Sequence, residues 1–101
     1  STSLLEDGNL VVCGVAVLED GNLVVSDLNN NRLQIVTVGG DFVRAIGSSG
    51  SGNVEFNCPD GVAVLEDGNL VVSDFGNDRL QILTARGEFV RVIPCPRPLR
   101  L

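Results

Sequence analysis

The sequence predicts an all-β fold built from repeated four-stranded antiparallel units. Residues 61–93 repeat residues 14–46 at a spacing of 47 positions, and 25 of the 33 aligned residues are identical. The repeated text consists of short apolar runs separated by Gly, Asn and Asp, which is typical of strands joined by tight turns. The composition agrees with this, because 44% of the residues are apolar and 12 are Gly. A strand-rich repeat of this length indicates stacked units that bury their faces against one another.

The apolar runs of the first unit predict four strands. These strands span residues 15–18, 23–26, 33–38 and 42–46. The first two are joined by Asp20, Gly21 and Asn22, and such residues tolerate the positive φ that a tight hairpin turn requires. Asn and Asp at 27–31 turn the chain again, since their side chains bond their own backbone. Both early strands are almost continuously apolar, which indicates that neighbouring units cover both sheet faces.

The second unit repeats this pattern, with strands predicted at 62–65, 70–73, 80–84 and 89–93. The string GSSGSGN at residues 47–53 predicts a flexible connector between the units. Pro59 is expected to stop sheet pairing before the second unit begins. Three prolines after residue 93 predict an extended, disordered tail without regular sheet.

A third copy of the LEDGNLVV text begins at residue 5, only 13 positions before the second copy. Most of one unit is therefore missing, and we favour a fragment, a deletion or a faulty gene model over a shortened adaptor. The predicted domains are a truncated blade remnant at 1–13, a blade with its connector at 14–60, a second blade at 61–93 and the tail at 94–101. The expected fold class is a partial β-propeller of two four-stranded antiparallel blades plus the remnant.

Four strings of the chain resemble the NHL repeat. They are FNCPDGVAV at 56–64, DGNLVVSD at 67–74, GNDRLQI at 76–82 and GEFVRVI at 87–93. The resemblance covers residues 14–93 and, as a remnant, residues 5–13. It implies a β-propeller, commonly six-bladed, that binds protein or RNA and often ends tripartite-motif ubiquitin ligases. Six blades at this period need about 280 residues. We therefore expect the chain to belong to a longer propeller or to assemble with copies of itself.

The D-x-x-N-x-R pattern of the family falls on Asp27 and Arg32 in one unit and on Asp74 and Arg79 in the other. One interpretation makes these residues a polar rim that touches a ligand. The interpretation that we favour has the carboxylate and amide cap the turn while the Arg pairs across it. Binding otherwise concentrates on loops held by a rigid scaffold. The candidate binding residues are Asn29, Asn31, Arg32, Asp60, Asn77, Asp78 and Arg79.

The residues favour a protein–protein interaction scaffold that is not an enzyme. No His is present, so triads that use an imidazole base are missing, and no catalytic residue, metal or cofactor is predicted. The three Cys residues lack the paired spacing of a zinc site or a disulfide framework. The first alternative is an RNA-binding propeller segment of a ubiquitin-ligase-type protein, which the net charge of −6 disfavours. The second and less favoured alternative is an enzyme on a propeller scaffold. Asp60 also weighs against RNA, because relatives that bind RNA often look basic or aromatic there.

The predicted partner is a protein, with copies of the chain or the rest of a longer propeller needed to close the ring. No apolar run approaches the roughly 20 residues of a membrane-spanning helix. No basic stretch followed by an apolar one resembles a signal peptide. We therefore expect no membrane partner and a cytoplasmic location.

Overall fold

The computed structural model describes residues 12–95, which form two four-stranded antiparallel sheets and one short parallel pair of strands. The first sheet, called the first blade, contains β1 (Val12–Val17), β2 (Leu23–Asp27), β3 (Arg32–Val36) and β4 (Phe42–Ile46) in sequential order. The second blade contains β7 (Pro59–Val64), β8 (Leu70–Asp74), β9 (Arg79–Leu83) and β10 (Phe89–Pro94). Between the blades, β5 (Ser48–Ser49) pairs in parallel with β6 (Glu55–Phe56). The predicted all-β blade architecture is confirmed.

The tight turns follow the predicted chemistry in both blades. Asp20 Oδ1 accepts a hydrogen bond from Asn22 N at 2.9 Å, and Gly21 between them has a φ of 90°. This φ lies in the left-handed region that favours glycine. The β2–β3 and β8–β9 connections each contain a 3₁₀ turn, at Leu28–Asn30 and Phe75–Asn77. Local sequence therefore determines where each antiparallel strand reverses.

Proline is placed differently from the prediction. Pro59 lies inside β7 and pairs with Asp74, so the expectation that it stops sheet pairing is wrong. It is the first residue of the strand and stands beside a register shift, where a missing N–H removes no regular ladder bond. Pro94 is likewise the last residue of β10, an edge strand, although sheet was not expected there. Both prolines lie on edge strands, each of which has one neighbouring strand, so a missing N–H at the end of the strand is tolerated.

The segment between the blades is ordered, contrary to the flexible connector that its Gly and Ser content predicted. We define the connector as residues 47–58. Gly50 N donates to Phe56 O at 3.1 Å, and Glu55 N donates to Gly52 O at 3.2 Å. Phe56 is completely buried. The connector is therefore folded against the second blade instead of linking the blades loosely.

The hydrophobic core lies between the two blades. Its buried members come from both sheets and the connector, and are Leu18, Val24, Leu33, Ile35, Ile46, Phe56, Leu70, Val72 and Leu83. Along β2, Val24 and Ser26 point to the second blade, while Val25 and Asp27 point to the opposite face, as the two-residue period of a strand requires. Packing of blade against blade thus supplies the burial that one sheet alone lacks.

Two predicted domains extend outside the described residues. β1 begins at Val12 and crosses the predicted boundary after residue 13, while residues 1–11 of the remnant are not among those described. Residues 96–101 of the predicted tail also lie outside them. Within residues 12–95, no helix is both long and apolar enough to cross a membrane.

Candidate functional site

A buried polar cluster centred on Asp74 joins β8 to β9. One carboxylate oxygen, Oδ2, accepts hydrogen bonds from Arg79 Nε at 2.8 Å, Asn77 Nδ2 at 2.9 Å and Gln81 Nε2 at 3.3 Å. The Asp74 side chain is fully buried, and that of Arg79 is 13% exposed. The expected pairing of the Arg with the carboxylate across the turn is confirmed. The expected capping is wrong, because the Asp74 side chain makes no cap bond to the 3₁₀ turn and its carboxylate accepts from the Asn77 amide instead.

The same cluster holds the connector. Asn57 N donates to Asp74 Oδ1 at 2.8 Å, and Val54 N donates to Gln81 Oε1 at 3.0 Å. In return, Gln81 Nε2 and Arg79 Nη2 donate to the carbonyl of Glu55 at 2.7 and 2.9 Å. Every buried polar side-chain atom of Asp74 and Gln81 therefore has a partner, and the folded connector supplies the backbone groups.

Gln81 was not singled out from the sequence, although a signal was present. Gln34 and Gln81 stand at the same position of the two units, each between an Leu and an Ile inside a strand. A polar side chain kept at a buried strand position needs hydrogen-bond partners there. A Gln at the same strand position of both units was therefore a sign that each belongs to a buried hydrogen-bonded cluster.

The first blade carries the same cluster around Asp27. Its Oδ2 accepts from Asn30 Nδ2 and Gln34 Nε2, both at 3.0 Å, and from Arg32 Nε at 3.4 Å. Asp27 and Gln34 are fully buried. Among the residues that the structure describes, however, Asp27 Oδ1 and Gln34 Oε1 find no hydrogen-bond partner. These two oxygens correspond to the two that receive the connector amides in the second blade.

The predicted binding residues are not gathered into one surface. Asn77 and Arg79 are directed to Asp74 and the connector, and Arg32 to Asp27. Asn31 also holds the connector, because its Oδ1 accepts from Cys58 N at 2.8 Å. The remaining three comprise two exposed loop residues and one half-buried strand residue, namely Asn29, Asp78 and Asp60. A role of these residues in binding a partner stays a prediction.

Three residues of the first blade make close contacts with the second. A Cβ added to Gly14 would lie 3.1 Å from Gly61 Cα, so the inner strands approach closely because this residue is glycine. Ser26 Oγ donates to the carbonyl of Pro59. Arg44 Nη1 donates at 2.7 Å to a backbone carbonyl in the turn after β9. These three contacts fix the position of the second blade against the first.

Within residues 12–95, the corresponding face of the second blade is open. The repeat indicated that two units alone leave faces uncovered, but the residues that line this face were not singled out from the sequence. Gly61, Ser73 and Arg91 stand 47 positions after the three contact residues. A Cβ on Gly61 would meet only Ser73 Cβ, at 3.8 Å. Ile46 is 4% exposed, whereas Ile93 at the equivalent position is 39% exposed. We call this surface the open face; its shallow apolar depression, of about 300 Å³, is lined by Gly61, Val62, Ala63, Val71, Ser73 and Leu80.

A second cleft opens between the blades on the side of their short hairpin turns. It has a volume of about 310 Å³ and is lined by Leu18, Glu19, Asp20, Arg44, Gly68, Ala85 and Arg86. Three of its charged residues lie in turns and Arg44 lies in β4, and their side chains make the cleft polar. Within residues 12–95, no group of three or more His, Cys, Asp or Glu side chains is placed to hold a metal ion.

The fold and the repeated aspartate cluster define the two sheets as blades of a β-propeller. The NHL repeat family model matches residues 14–36 and 56–83, which together are half of the chain. The chain therefore belongs to the NHL repeat family. The matched residues include both Asp27 and Asp74, around which the polar clusters are built.

Solved structures confirm the propeller fold. A streptogramin B lyase structure matches with a TM-score of 0.73 at 17% identity, over 91% of this chain and 29% of that one. The catalytically inactive H270A virginiamycin B lyase from Staphylococcus aureus, with quinupristin, matches with a TM-score of 0.62 at 19% identity, over 83% and 27%. Hydrazine synthase from Kuenenia stuttgartiensis gives 0.67 at 21% identity, over 84% and 24%. At these identities the likeness concerns the fold.

The chain spans less than a third of the length of each of these structures. Comparison with curated protein sequences gives no significant match. The prediction that the chain is not an enzyme is wrong as stated, because two of the similar structures are lyases.

Proposed function

We propose that the chain is a protein-binding segment of an NHL propeller, and that its open face binds another propeller blade. The observation that carries this proposal is the repeated set Gly14, Ser26 and Arg44. In the first blade all three contact a neighbouring blade. Their equivalents in the second blade occupy the same positions on the open face and have no blade against them within the described residues.

The first blade presents the complementary surface. Val62 and Val64 pack against the core between the blades. Their equivalents in β1, Val15 and Val17, are 56% and 61% exposed. The exposed face of β1 is therefore equivalent to the surface of β7 that packs against the first blade, so it is complementary to the open face. Such a heterologous contact closes into a ring when the rotation between units is right, and three copies would supply six blades.

Apolar complementarity makes a blade the preferred occupant of the open face. The depression presents Ala63, Val71 and Leu80, whose equivalents in the first blade are packed against the core or belong to it. Burying such surface is favourable by about 25 cal/mol for each Å² removed from water. Ser73 and Arg91 add a hydroxyl and a guanidinium where Ser26 and Arg44 donate to blade carbonyls. The shape and the polar groups of the open face thus favour packing of another blade's sheet on it.

Molar mass in solution tests this proposal, measured by size-exclusion chromatography with light scattering. We expect the chain to form a discrete assembly larger than its 10.6 kDa monomer, with three copies completing six blades. Gly61→Val should reduce the mass to that of the monomer, because the added side chain occupies the position where the next inner strand approaches.

Gly39→Val provides the matched control. Gly39 lies in the exposed turn after β3, and a Cβ there meets only Thr37 Oγ1, at 3.7 Å. This variant adds the same side chain away from the open face and should keep the parent mass. A parent chain that is monomeric throughout, or a Gly61→Val chain with the parent mass, would show that the open face does not bind a blade.

A further inference from the structure

The two aspartate clusters are equivalent in sequence but differ in their hydrogen-bond partners. In the second blade, Asp74 Oδ1 and Gln81 Oε1 each accept one backbone N–H from the connector. In the first blade, Asp27 Oδ1 and Gln34 Oε1 are buried without a partner among the described residues. A buried acceptor without a donor costs free energy, so the first blade is incomplete as a hydrogen-bonded unit.

The chain does not repeat the connector sequence ahead of the first blade. The connector segment 50–58 reads GSGNVEFNC, whereas residues 3–11, which stand 47 positions earlier, read SLLEDGNLV. The position of Phe56, which is fully buried between the blades, corresponds to Asn9. Residues 3–11 therefore do not repeat the chemistry of the connector.

We infer that the first blade binds, in trans, the connector of another NHL blade, through Asp27 and Gln34. The ligand is a compactly folded peptide with small residues at the positions of Gly50 and Gly52 and an aromatic side chain at that of Phe56. Its two essential groups are the backbone amides that correspond to Val54 N and Asn57 N. This site lies on the opposite side of the chain from the open face and does not depend on the function proposed above.

The contacts of the second blade explain why the small residues matter. Arg79 Nη2 donates to Gly52 O at 2.8 Å, and Asn77 Nδ2 donates to Gly50 O at 3.0 Å. A Cβ on Gly50 would lie 2.3 Å from Glu55 Oε1, and Gly50 has a φ of 152°. Larger residues there would force the segment out of the compact shape in which its carbonyls meet these donors.

Two backbone amides of the connector fix its orientation on the second blade. Val54 N and Asn57 N are three residues apart and reach two different side chains, Gln81 and Asp74. Gln34 and Asp27 stand seven residues apart, as Gln81 and Asp74 do. A peptide with both amides free can therefore satisfy both orphaned oxygens of the first blade in one orientation.

The experiment uses the full chain and a fluorescently labelled peptide of residues 47–57, GSSGSGNVEFN, and measures binding by fluorescence anisotropy. We expect saturable binding of one peptide per chain. Methylating the amide nitrogen of Val54 or of Asn57 should weaken binding about tenfold or more for each, which corresponds to about 1.4 kcal/mol. Methylation at Ser51, whose amide donates none of the bonds to the second blade, is the control and should leave the affinity nearly unchanged.

Substitution in the protein locates the binding site. Gln34→Leu removes one orphaned acceptor and should weaken binding by a similar factor, while Gly61→Val on the open face should leave it unchanged. Circular dichroism of the Gln34→Leu chain checks that the sheets persist. The methylated peptides keep the test decisive if that variant unfolds. Absence of binding, or equal binding of all the methylated peptides, would overturn the inference.

Discussion

Replacement of Asp74 by Asn should destabilise the protein far more than the same replacement of Asp27. The two variants alter equivalent positions of the repeat and remove the same charge. At Asp74, Oδ1 and Oδ2 both accept hydrogen bonds, so the amide nitrogen of the variant must face a donor in either orientation. At Asp27, the nitrogen can take the place of Oδ1, to which no described donor points.

The magnitudes follow from these contacts. In Asp74→Asn, one connector or cluster donor loses its acceptor, which costs about 1–3 kcal/mol. The 2.8 Å ion pair with Arg79 is also lost, and breaking a buried pair costs about 3–5 kcal/mol before a discount for the 13% exposure of Arg79. We expect a total loss of about 4 kcal/mol. In Asp27→Asn only the longer 3.4 Å pair with Arg32 is lost, for about 1–2 kcal/mol.

Equilibrium urea unfolding, followed by far-ultraviolet circular dichroism, measures both changes in the free energy of unfolding. Both variants are compared with the parent at concentrations where all three have the same molar mass. The expected difference between the variants is about 2 kcal/mol or more. Equal losses of unfolding free energy, or a larger loss for Asp27→Asn, would refute the reasoning that the connector donates a hydrogen bond to Asp74 and none to Asp27.

Two further substitutions test the packing between the blades. Gly14→Val places a side chain against backbone atoms, with its Cβ 3.1 Å from Gly61 Cα, and should lower the stability by about 1–3 kcal/mol in urea unfolding. Gly61→Val meets only Ser73 Cβ at 3.8 Å and, at concentrations where the chains compared have the same molar mass, should cost much less, so equal losses would contradict the close approach of the inner strands. Phe56→Ala removes a fully buried side chain and should cost about 3–5 kcal/mol, whereas Phe89→Ala, which alters a side chain that is 37% exposed, should cost less in the same measurement. A Phe56→Ala loss no larger than that of Phe89→Ala would mean that the connector does not anchor the core.

The strands and their turns could be predicted from the sequence because they depend on nearby residues. Apolar runs and the turn residues around Gly21 locate each strand within a few positions of where it lies. The period of 47 residues and the NHL strings indicated the propeller, and the family match agrees with them. The pairing of Arg79 with Asp74 also followed from local spacing, since both belong to one turn.

The order of the connector and the location of the surfaces depended on contacts between distant residues. Gly and Ser between the blades predicted flexibility, yet Gln81 bonds Val54 from 27 positions away and holds that segment in place. Prolines 59 and 94 lie in sheet because each stands at a strand end, which composition does not reveal. The sequence by itself therefore determined the strands, their turns and the family. Only the tertiary structure decided which repeated residues are satisfied and which are exposed, because the same side chain is buried where a blade or connector covers it and open where none does.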